Sequence, residues 1–317
     1  MLMMRPKLRR MVAIGEAMVE MAPLASGEYR MGFAGDTLNT AWYSRKVFPG
    51  DWSVDYFTAL GMDAVSDRMV GFLAAAGIGV DHVARLAGRT VGLYLIELTE
   101  GERSFAYWRG QSAARLLADS ALLARGLDGA GVVYLSGITL AILEGEGRTV
   151  LFDALRAARD AGAVVVFDPN LRPRLWADTA TMCAVVMEAA ALSDIVLPSH
   201  EDEAAFFGDN DVAVTAARYA GAGAGLVVVK NGDGEMMTLE GGVVGLHAAE
   251  AGVQVVDSTA AGDSFNAGFL AAWLTGGDVA VAVRAGARLA ARVIGQRGAL
   301  CEVTEQGGIL PPVDHCF

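Results

Sequence analysis

The feature that most constrains this chain is an alternation. Short, almost wholly apolar runs alternate with Ala-rich helical stretches nearly from end to end. The candidate strands are 11–15, 54–59, 132–136, 164–168, 195–198 and 226–230, with helical stretches such as 149–161, 179–192 and 212–220 between them. A strand that is apolar at successive positions buries both faces, as a parallel strand does beneath its crossover helices. The pattern predicts an α/β fold with a mostly parallel central sheet flanked by helices. With no internal repeat or low-complexity linker, residues 1–317 read as a single domain with ample chain for a core. Two stretches, within about 17–34 and 89–110, break the alternation with Gly turns and mixed polarity. They are expected to form a small antiparallel β sheet beside the main layer, as a lid, a subunit contact or a hairpin without a role.

Composition excludes several partners. Acidic residues outnumber basic ones 37 to 25, for a net charge of −12, so nucleic acid would meet repulsion over most of the surface. The longest apolar candidate, 130–143, is too short for a bilayer and contains Ser136 and Thr139. No membrane partner is expected. Cys183, Cys301 and Cys316 show neither disulfide nor metal-ligand spacing, which fits a reducing cytoplasm. His82, His200, His247 and His315 show no metal spacing either, so no protein-held metal is expected. Near the start, Arg9-Arg10 precedes only five uncharged residues before Glu16, too few for the apolar core of a signal peptide. Residues 1–9 are expected to be a frayed lead-in.

No G-x-x-x-x-G-K-[ST] phosphate loop occurs. The cluster Gly221-Ala-Gly223-Ala-Gly225 follows a helix and precedes a strand, the reverse of a dinucleotide fingerprint, so it reads as a helix cap and turn. Several strands run into polar tails at Asp168-Pro-Asn170, Pro198-Ser199-His200 and Lys230-Asn-Gly232. Parallel sheets bind ligands at those carboxyl ends. The most informative segment is Asp257-Ser-Thr-Ala-Ala-Gly262-Asp263-Ser-Phe-Asn-Ala-Gly268. Phe265, Phe269 and Trp273 follow at i, i+4, i+8, which predicts a helix from near Asp263 with one apolar stripe. Small residues at 260–262 leave bare amides at its N-terminus, where free N–H groups and the helix dipole favour a phosphate. Asp263 beside them either caps the helix or takes a proton from an attacking hydroxyl while the amides hold the phosphoryl group.

That segment resembles the C-terminal signature D-T-x-G-A-G-D of the ribokinase-like (PfkB) sugar kinases. Ala34-Gly35-Asp36-Thr37-Leu38-Asn39-Thr40-Ala41 is similar to the family's N-terminal G-G-x-x-x-N-x-A element. Asp168-Pro-Asn170 and Lys230-Asn-Gly232 follow in family order, so the likeness spans about residues 11–300. Within the family it runs to the branch acting on 2-keto-3-deoxygluconate, through Gly92-Leu-Tyr94, Gly101 to Arg109, Tyr134-Leu-Ser-Gly-Ile and Asn170-Leu-Arg172-Pro-Arg-Leu-Trp176.

The resemblance implies ATP-dependent phosphorylation of that sugar acid's 6-hydroxyl, with Asp263 as base and the backbone of Ala260, Ala261 and Gly262 as anion hole. It places Gly35, Asp36 and Asn39 on the sugar hydroxyls. Asn170, Ser199, Lys230, Gly232 and Gly262 would line the ATP side, with Mg2+ held mainly through ATP. A sugar acid also needs a partner for its carboxylate. Arg109 and Arg172 offer forked donors for it, with Tyr94 and Tyr107 adding hydroxyls and an apolar wall; each arginine could instead be a surface charge. The departures are Ala34, Ser258 and Ala260 within the two signatures, Ser199-His-Glu-Asp202 in place of N-x-x-E, the close pair Gly232 and Gly234, and Ala287 at the expected adenine edge. The resemblance further implies a monovalent-cation loop at Asp257 and Arg297-Gly298, and the lid strands could pair subunits into a homo-oligomer. Two rivals stay open: a family kinase for fructose, ribose or another keto-sugar acid, and a non-catalytic sugar-acid-binding regulator.

Overall fold

The computed structural model describes residues 5–99 and 102–303. His315 and Cys316 lie outside the described residues. The strands in chain order are β1 (Arg10–Ile14), β2 (Met18–Pro23), β3 (Tyr29–Ala34), β4 (Ser53–Phe57), β5 (Ala59–Leu60), β6 (Ala84–Arg85) and β7 (Gly92–Thr99). They continue with β8 (Glu102–Trp108), β9 (Val132–Ser136), β10 (Val164–Asp168), β11 (Ile195–Val196), β12 (Leu226–Val229), β13 (Met236–Glu240) and β14 (Val243–His247). The helices are α1 (Asp36–Val47), α2 (Ala64–Ala75), α3 (Ser120–Leu127), α4 (Gly137–Ile142) and α5 (Gly147–Asp160). After them come α6 (Thr179–Ala191), α7 (His200–Phe207), α8 (Val212–Ala222), α9 (Ala261–Leu274) and α10 (Val279–Ile294).

Eight strands form the main sheet in the order β14-β13-β12-β11-β10-β9-β1-β4. Six run parallel, and β13 and β14 close one edge antiparallel. All six expected strands are present. Their apolar runs are explained by which face each residue meets. Met11, Ala13, Val132, Tyr134, Val164 and Val166 enter one buried cluster with α1, α9 and α10. Val12, Ile14, Val133, Leu135, Val165 and Phe167 enter another with α3, α5 and α6. The period of two thus sends alternate side chains into two different cores. Chain order reverses between β1 and β9, and such a switch point opens a crevice at the carboxyl ends of the strands.

The two exceptional stretches form a second sheet, ordered β3-β2-β7-β8. It is two antiparallel hairpins, β2–β3 and β7–β8, set side by side through a parallel β2–β7 pairing. The cluster at 221–225 is a turn: α8 ends at Ala222, and Gly223 follows at φ 121.

Helix starts show what is distinctive about α9. Asp63, Asp119, Asp178, Asp211 and Asp278 each cap a helix by accepting from first-turn amides. α9 starts at Ala261, two residues before the expected position, with no side-chain cap. It is also buried on more than one stripe: every residue from Ser264 to Leu274 is buried. The reason is its place between α1, α10 and the sheet. Gly268 permits that packing, because a Cβ there would stand 2.8 Å from the Ala285 carbonyl oxygen and 3.0 Å from Gly286 Cα. Gly268→Val is expected to destabilise the protein by about 1–3 kcal/mol through overpacking, read as a lowered midpoint in urea unfolding.

Candidate active site

A cleft of about 700 Å³ lies between the carboxyl ends of the main sheet and the lid. Its walls carry Gly35, Asp36, Asn39, Tyr94, Tyr107, Asn170, Arg172, Ser199, Lys230 and the segment 255–263. The expected sugar loop, phosphate cradle and strand tails therefore converge on one site. Gly232 and Arg109 do not line it. Gly232 sits in the exposed turn after Lys230 at φ 55, and Arg109 is paired with the carboxylate of Glu16 at the root of the lid.

Asp263 is the most perturbed carboxyl of the cleft wall. It lies in the first turn of α9, and its Oδ2 accepts a 2.8 Å hydrogen bond from Asn39 Nδ2. Burial, followed by the nearby carboxylates of Asp36 and Asp168, pushes its pKa up to about 8, against the opposing hydrogen bond from Asn39 and the charge of Lys230. Causes of opposite sign thus meet on one group. The outcome is a carboxyl poised to exchange a proton near neutrality, as a general base requires. Capping is not its role, because no side chain caps α9.

The cradle beside it is strained. Ala260 has φ 61, and Asn170 across the cleft has φ 35; they are the two non-glycine residues with positive φ among those described. A left-handed alanine costs on the order of 1–2 kcal/mol, which explains physically why glycine is the commoner residue at Ala260. At the other signature the demand for glycine falls on Gly35 alone. A Cβ there would collide with the Glu16 carbonyl oxygen, whereas Ala34 is simply the buried last residue of β3.

Behind the cradle stands a buried polar network. Lys230 Nζ donates to Asp168 Oδ2 at 2.8 Å and to Asn266 Oδ1 at 3.2 Å. Asn266 Nδ2 donates to Asp168 Oδ2 at 2.6 Å and to the Tyr134 hydroxyl at 3.0 Å. Lys230 also approaches Gly262, where a Cβ would stand 3.4 Å from its ammonium. Asn170 Nδ2 donates to Asp36 Oδ2 at 2.8 Å, which ties the strand tail to the sugar loop. Asp202 meets Arg172 Nη1 at 3.4 Å, and burial raises its pKa.

At the lid end the Tyr94 hydroxyl donates to Glu20 Oε2, and the Tyr94 and Tyr107 rings lie 5.9 Å apart. Gly298 N donates to Asp257 Oδ2 at 2.8 Å, so the turn at 297–298 does meet the start of the signature. Ala287 packs against the core and is not part of the cleft wall, whereas Val255 and Val256 are. Among the described residues no group of three or more His, Cys, Asp or Glu side chains could hold a metal ion. Among the described residues no helix is long and apolar enough to cross a membrane.

Sequence reasoning missed Glu20, Asp202, Asn266 and the valine pair as wall or network residues. Glu20 had a visible signal: an acid on a strand beside the apolar Met18, Val19 and Met21. Asn266, in the middle of an otherwise apolar helix, had one too.

A fold with a switch-point cleft, an uncapped helix N-terminus and a proton-exchanging Asp is that of a phosphoryl-transfer enzyme acting on a small polyol. The family model described as pfkB family carbohydrate kinase matches residues 8–304, and the chain belongs to that family of sugar kinases. It is 39% identical over 300 residues to the 2-dehydro-3-deoxygluconokinase of Escherichia coli K12, covering 92% of this chain and 97% of that protein. A solved 2-dehydro-3-deoxygluconokinase from Thermotoga maritima shares the fold at TM-score 0.82 and 23% identity, over 93% of this chain and 96% of the other. A putative ribokinase II from E. coli, solved in complex with ATP and Mg2+, does so at TM-score 0.78 and 20% identity, over 92% and 94%.

A general base at Asp263 would act deprotonated, so kcat/KM is expected to rise with pH through about 8 and to level off above it. Asp263→Asn is expected to lower kcat about 10²–10⁴-fold and to remove that limb, as measured in a coupled assay between pH 6 and 9.5.

Proposed function

We propose that the chain is a 2-dehydro-3-deoxygluconokinase, which transfers the γ-phosphoryl group of ATP to the 6-hydroxyl of 2-keto-3-deoxygluconate (the same compound as 2-dehydro-3-deoxygluconate). The observation that carries this reading is Arg172 on the same cleft wall as Asp36, Asn39 and Asp263. The substrate carboxylate needs a forked cationic donor, and a neutral hexose does not. The 39% identical relative points to the same substrate.

In this reading Asp263 takes the proton from the 6-hydroxyl as its oxygen attacks the γ-phosphorus and the bond to the β-phosphate oxygen breaks. The amides of Ala260, Ala261 and Gly262 hold the charge that develops on the transferring group. Gly35, Asp36 and Asn39 take the sugar hydroxyls, and Asn39 also steers the base through its hydrogen bond. Tyr94 and Tyr107 wall the sugar end. Asn170, Ser199 and Lys230 face the nucleotide end, with Gly232 beside them in the turn. Mg2+ enters with ATP and is held mainly through phosphates and water, the usual habit of that ion. Asp257 and Arg297-Gly298 form the monovalent-cation loop of the same proposal, supported by the Gly298 hydrogen bond. The whole works as one kinase domain in the reducing cytoplasm, and Cys183 and Cys301 are free thiols.

The lid also forms a subunit contact in this reading. Phe105, Tyr107 and Trp108 are 43%, 52% and 60% exposed on β8, an outer strand of the lid sheet, and a second copy would cover them.

In an ATP-coupled assay, 2-keto-3-deoxygluconate is expected to be preferred over fructose, ribose and gluconate at equal concentration. Arg172→Gln is expected to raise its KM about 10- to 100-fold, as loss of a charged hydrogen bond does. Preference for a neutral sugar would sink the carboxylate reading, and absence of any turnover would favour a binding-only protein. In light scattering, wild type is expected to run as an oligomer and Trp108→Asp as a monomer; a monomeric wild type refutes the lid contact.

A further inference from the structure

Helix α1 reaches the Asp263 end of the cleft by two routes. The first is short: Asn39 Nδ2 donates to Asp263 Oδ2 at 2.8 Å, and Thr40 Oγ1 approaches the Asp263 carbonyl oxygen at 3.3 Å. The second starts one turn further along, at the buried Tyr43. Its hydroxyl donates to the Ala299 carbonyl oxygen at 2.8 Å and accepts from Cys301 N at 3.0 Å. A tyrosine hydroxyl has one proton to give and can accept in return. Here both capacities go to one segment, 256 positions away at Ala299.

That segment is the turn at 297–301, just beyond α10. Its Gly298 N donates to Asp257 Oδ2 at 2.8 Å. The other oxygen of Asp257 accepts from Thr259 N at 3.0 Å and from Thr259 Oγ1 at 2.7 Å. Ala260 follows at φ 61, the strained first residue of the cradle. A continuous chain of hydrogen bonds thus runs from α1 through the turn to the backbone at 257–260. Strained backbone persists only where its surroundings hold it, and this chain is part of that hold. A phenylalanine would fill the space of Tyr43; the hydroxyl adds the tie to the turn.

We infer that Tyr43 is a positioning residue for the anion hole: through the turn and Asp257 it sets where the amides of Ala260, Ala261 and Gly262 stand relative to Asp263. The inference rests on the proposed phosphoryl transfer and deepens it. α1 then registers both halves of the reaction, the base directly through Asn39 and the cradle at one remove through Tyr43. Without the hydroxyl, the Ala299 carbonyl and the Cys301 N–H lose their buried partner. The turn shifts to satisfy them and draws Gly298 away from Asp257, while the sugar loop and Asp263 keep their places. The amides hold charge that develops in the transition state, so their misplacement slows the chemical step and leaves the affinity for both substrates nearly intact.

The test is steady-state and single-turnover kinetics on wild type, Tyr43→Phe, Gly298→Ala and the double variant, with separate KM values for sugar acid and ATP and a pH profile for each. Wild-type turnover is read first. If 2-keto-3-deoxygluconate is not a substrate, the proposed substrate fails, and the series is run on whichever sugar is turned over; turnover of none ends both readings. Tyr43→Phe is expected to lower kcat and the single-turnover rate about tenfold or more, as a small displacement of catalytic groups does. Both KM values are expected to stay within about threefold, and the midpoint of the pH limb to stay where it is in wild type. Gly298→Ala strains the same turn from its other end, because residue 298 stands at φ 96 with open space where a Cβ would be. It is expected to give the same pattern, and it carries the test if Tyr43→Phe does not fold. The two changes together are expected to lose no more than the larger single loss, as for residues acting through one another. An unchanged rate in a folded variant, a rise in sugar-acid KM that matches the rate loss, a shifted pH limb, or losses that multiply in the double variant would overturn the inference.

Discussion

The site depends on one buried ion pair. Lys230 at the end of β12 and Asp168 at the end of β10 meet at 2.8 Å, both nearly solvent-free, and Asn266 from α9 completes the contact. The two strands are not neighbours, since β11 lies between them. The pair therefore fixes, across a short strand, where the tail carrying Asn170 stands relative to the helix carrying Asp263. Such a pair adds little net stability because desolvation opposes it, yet removing one partner costs about 3–5 kcal/mol. Its worth is in geometry. The amide of Asn266 lets α9 join the pair without adding a further charge.

Around that anchor the molecule keeps conformations that it would otherwise avoid. Ala260 and Asn170 are both left-handed, and both sit on the cleft, where surrounding structure holds them in place. Asp263 is buried and held close to other carboxylates, so its proton is retained to higher pH than in an unfolded chain. The sign follows from linkage. A carboxyl with a raised folded pKa stabilises the folded state below its unfolded value, and that contribution is lost as pH rises toward about 8. By the pH at which the carboxyl deprotonates, near 8, the fold has given up most of that contribution.

The architecture was legible in the sequence because its cause is local. A strand buried on both faces must be apolar at every position, and Val132 to Leu135 show it directly: alternate residues enter opposite cores. Around Asp263 the residues alone announced a helix start with bare amides, and a role for the Asp came from the resemblance to the sugar-kinase signature. What could not be read were pairings across long separations. Arg109 beside two aromatics looks like a pocket residue, and nothing near it in sequence announces that Glu16, 93 positions away, holds it. Lys230 likewise reads as an open phosphate contact until Asp168 and Asn266 are brought against it. The place of Ala34 was obscure for a different reason. The steric demand for glycine comes from the Glu16 carbonyl and falls on the neighbouring residue, Gly35.

Those long-range pairings also bear on an electrostatic difficulty, which they reduce only in part. The cleft wall carries six carboxyl groups, those of Glu20, Asp36, Asp168, Asp202, Asp257 and Asp263, against two cations, Arg172 and Lys230. In the proposed reaction both substrates are anions, and such a wall would repel them if every carboxylate were bare. Each is instead held by a donor from the chain: Tyr94 on Glu20, Asn170 on Asp36, Lys230 and Asn266 on Asp168, Arg172 on Asp202, Gly298 on Asp257 and Asn39 on Asp263. Three of those donors are neutral side-chain amides, and Gly298 adds a backbone amide. An amide orients a carboxylate without cancelling its charge, and after burial the neighbouring Asp36 and Asp168 both help to raise the pKa of Asp263. What the chain does not supply is enough positive charge to balance a triphosphate, and a divalent cation travelling with the nucleotide answers that deficit.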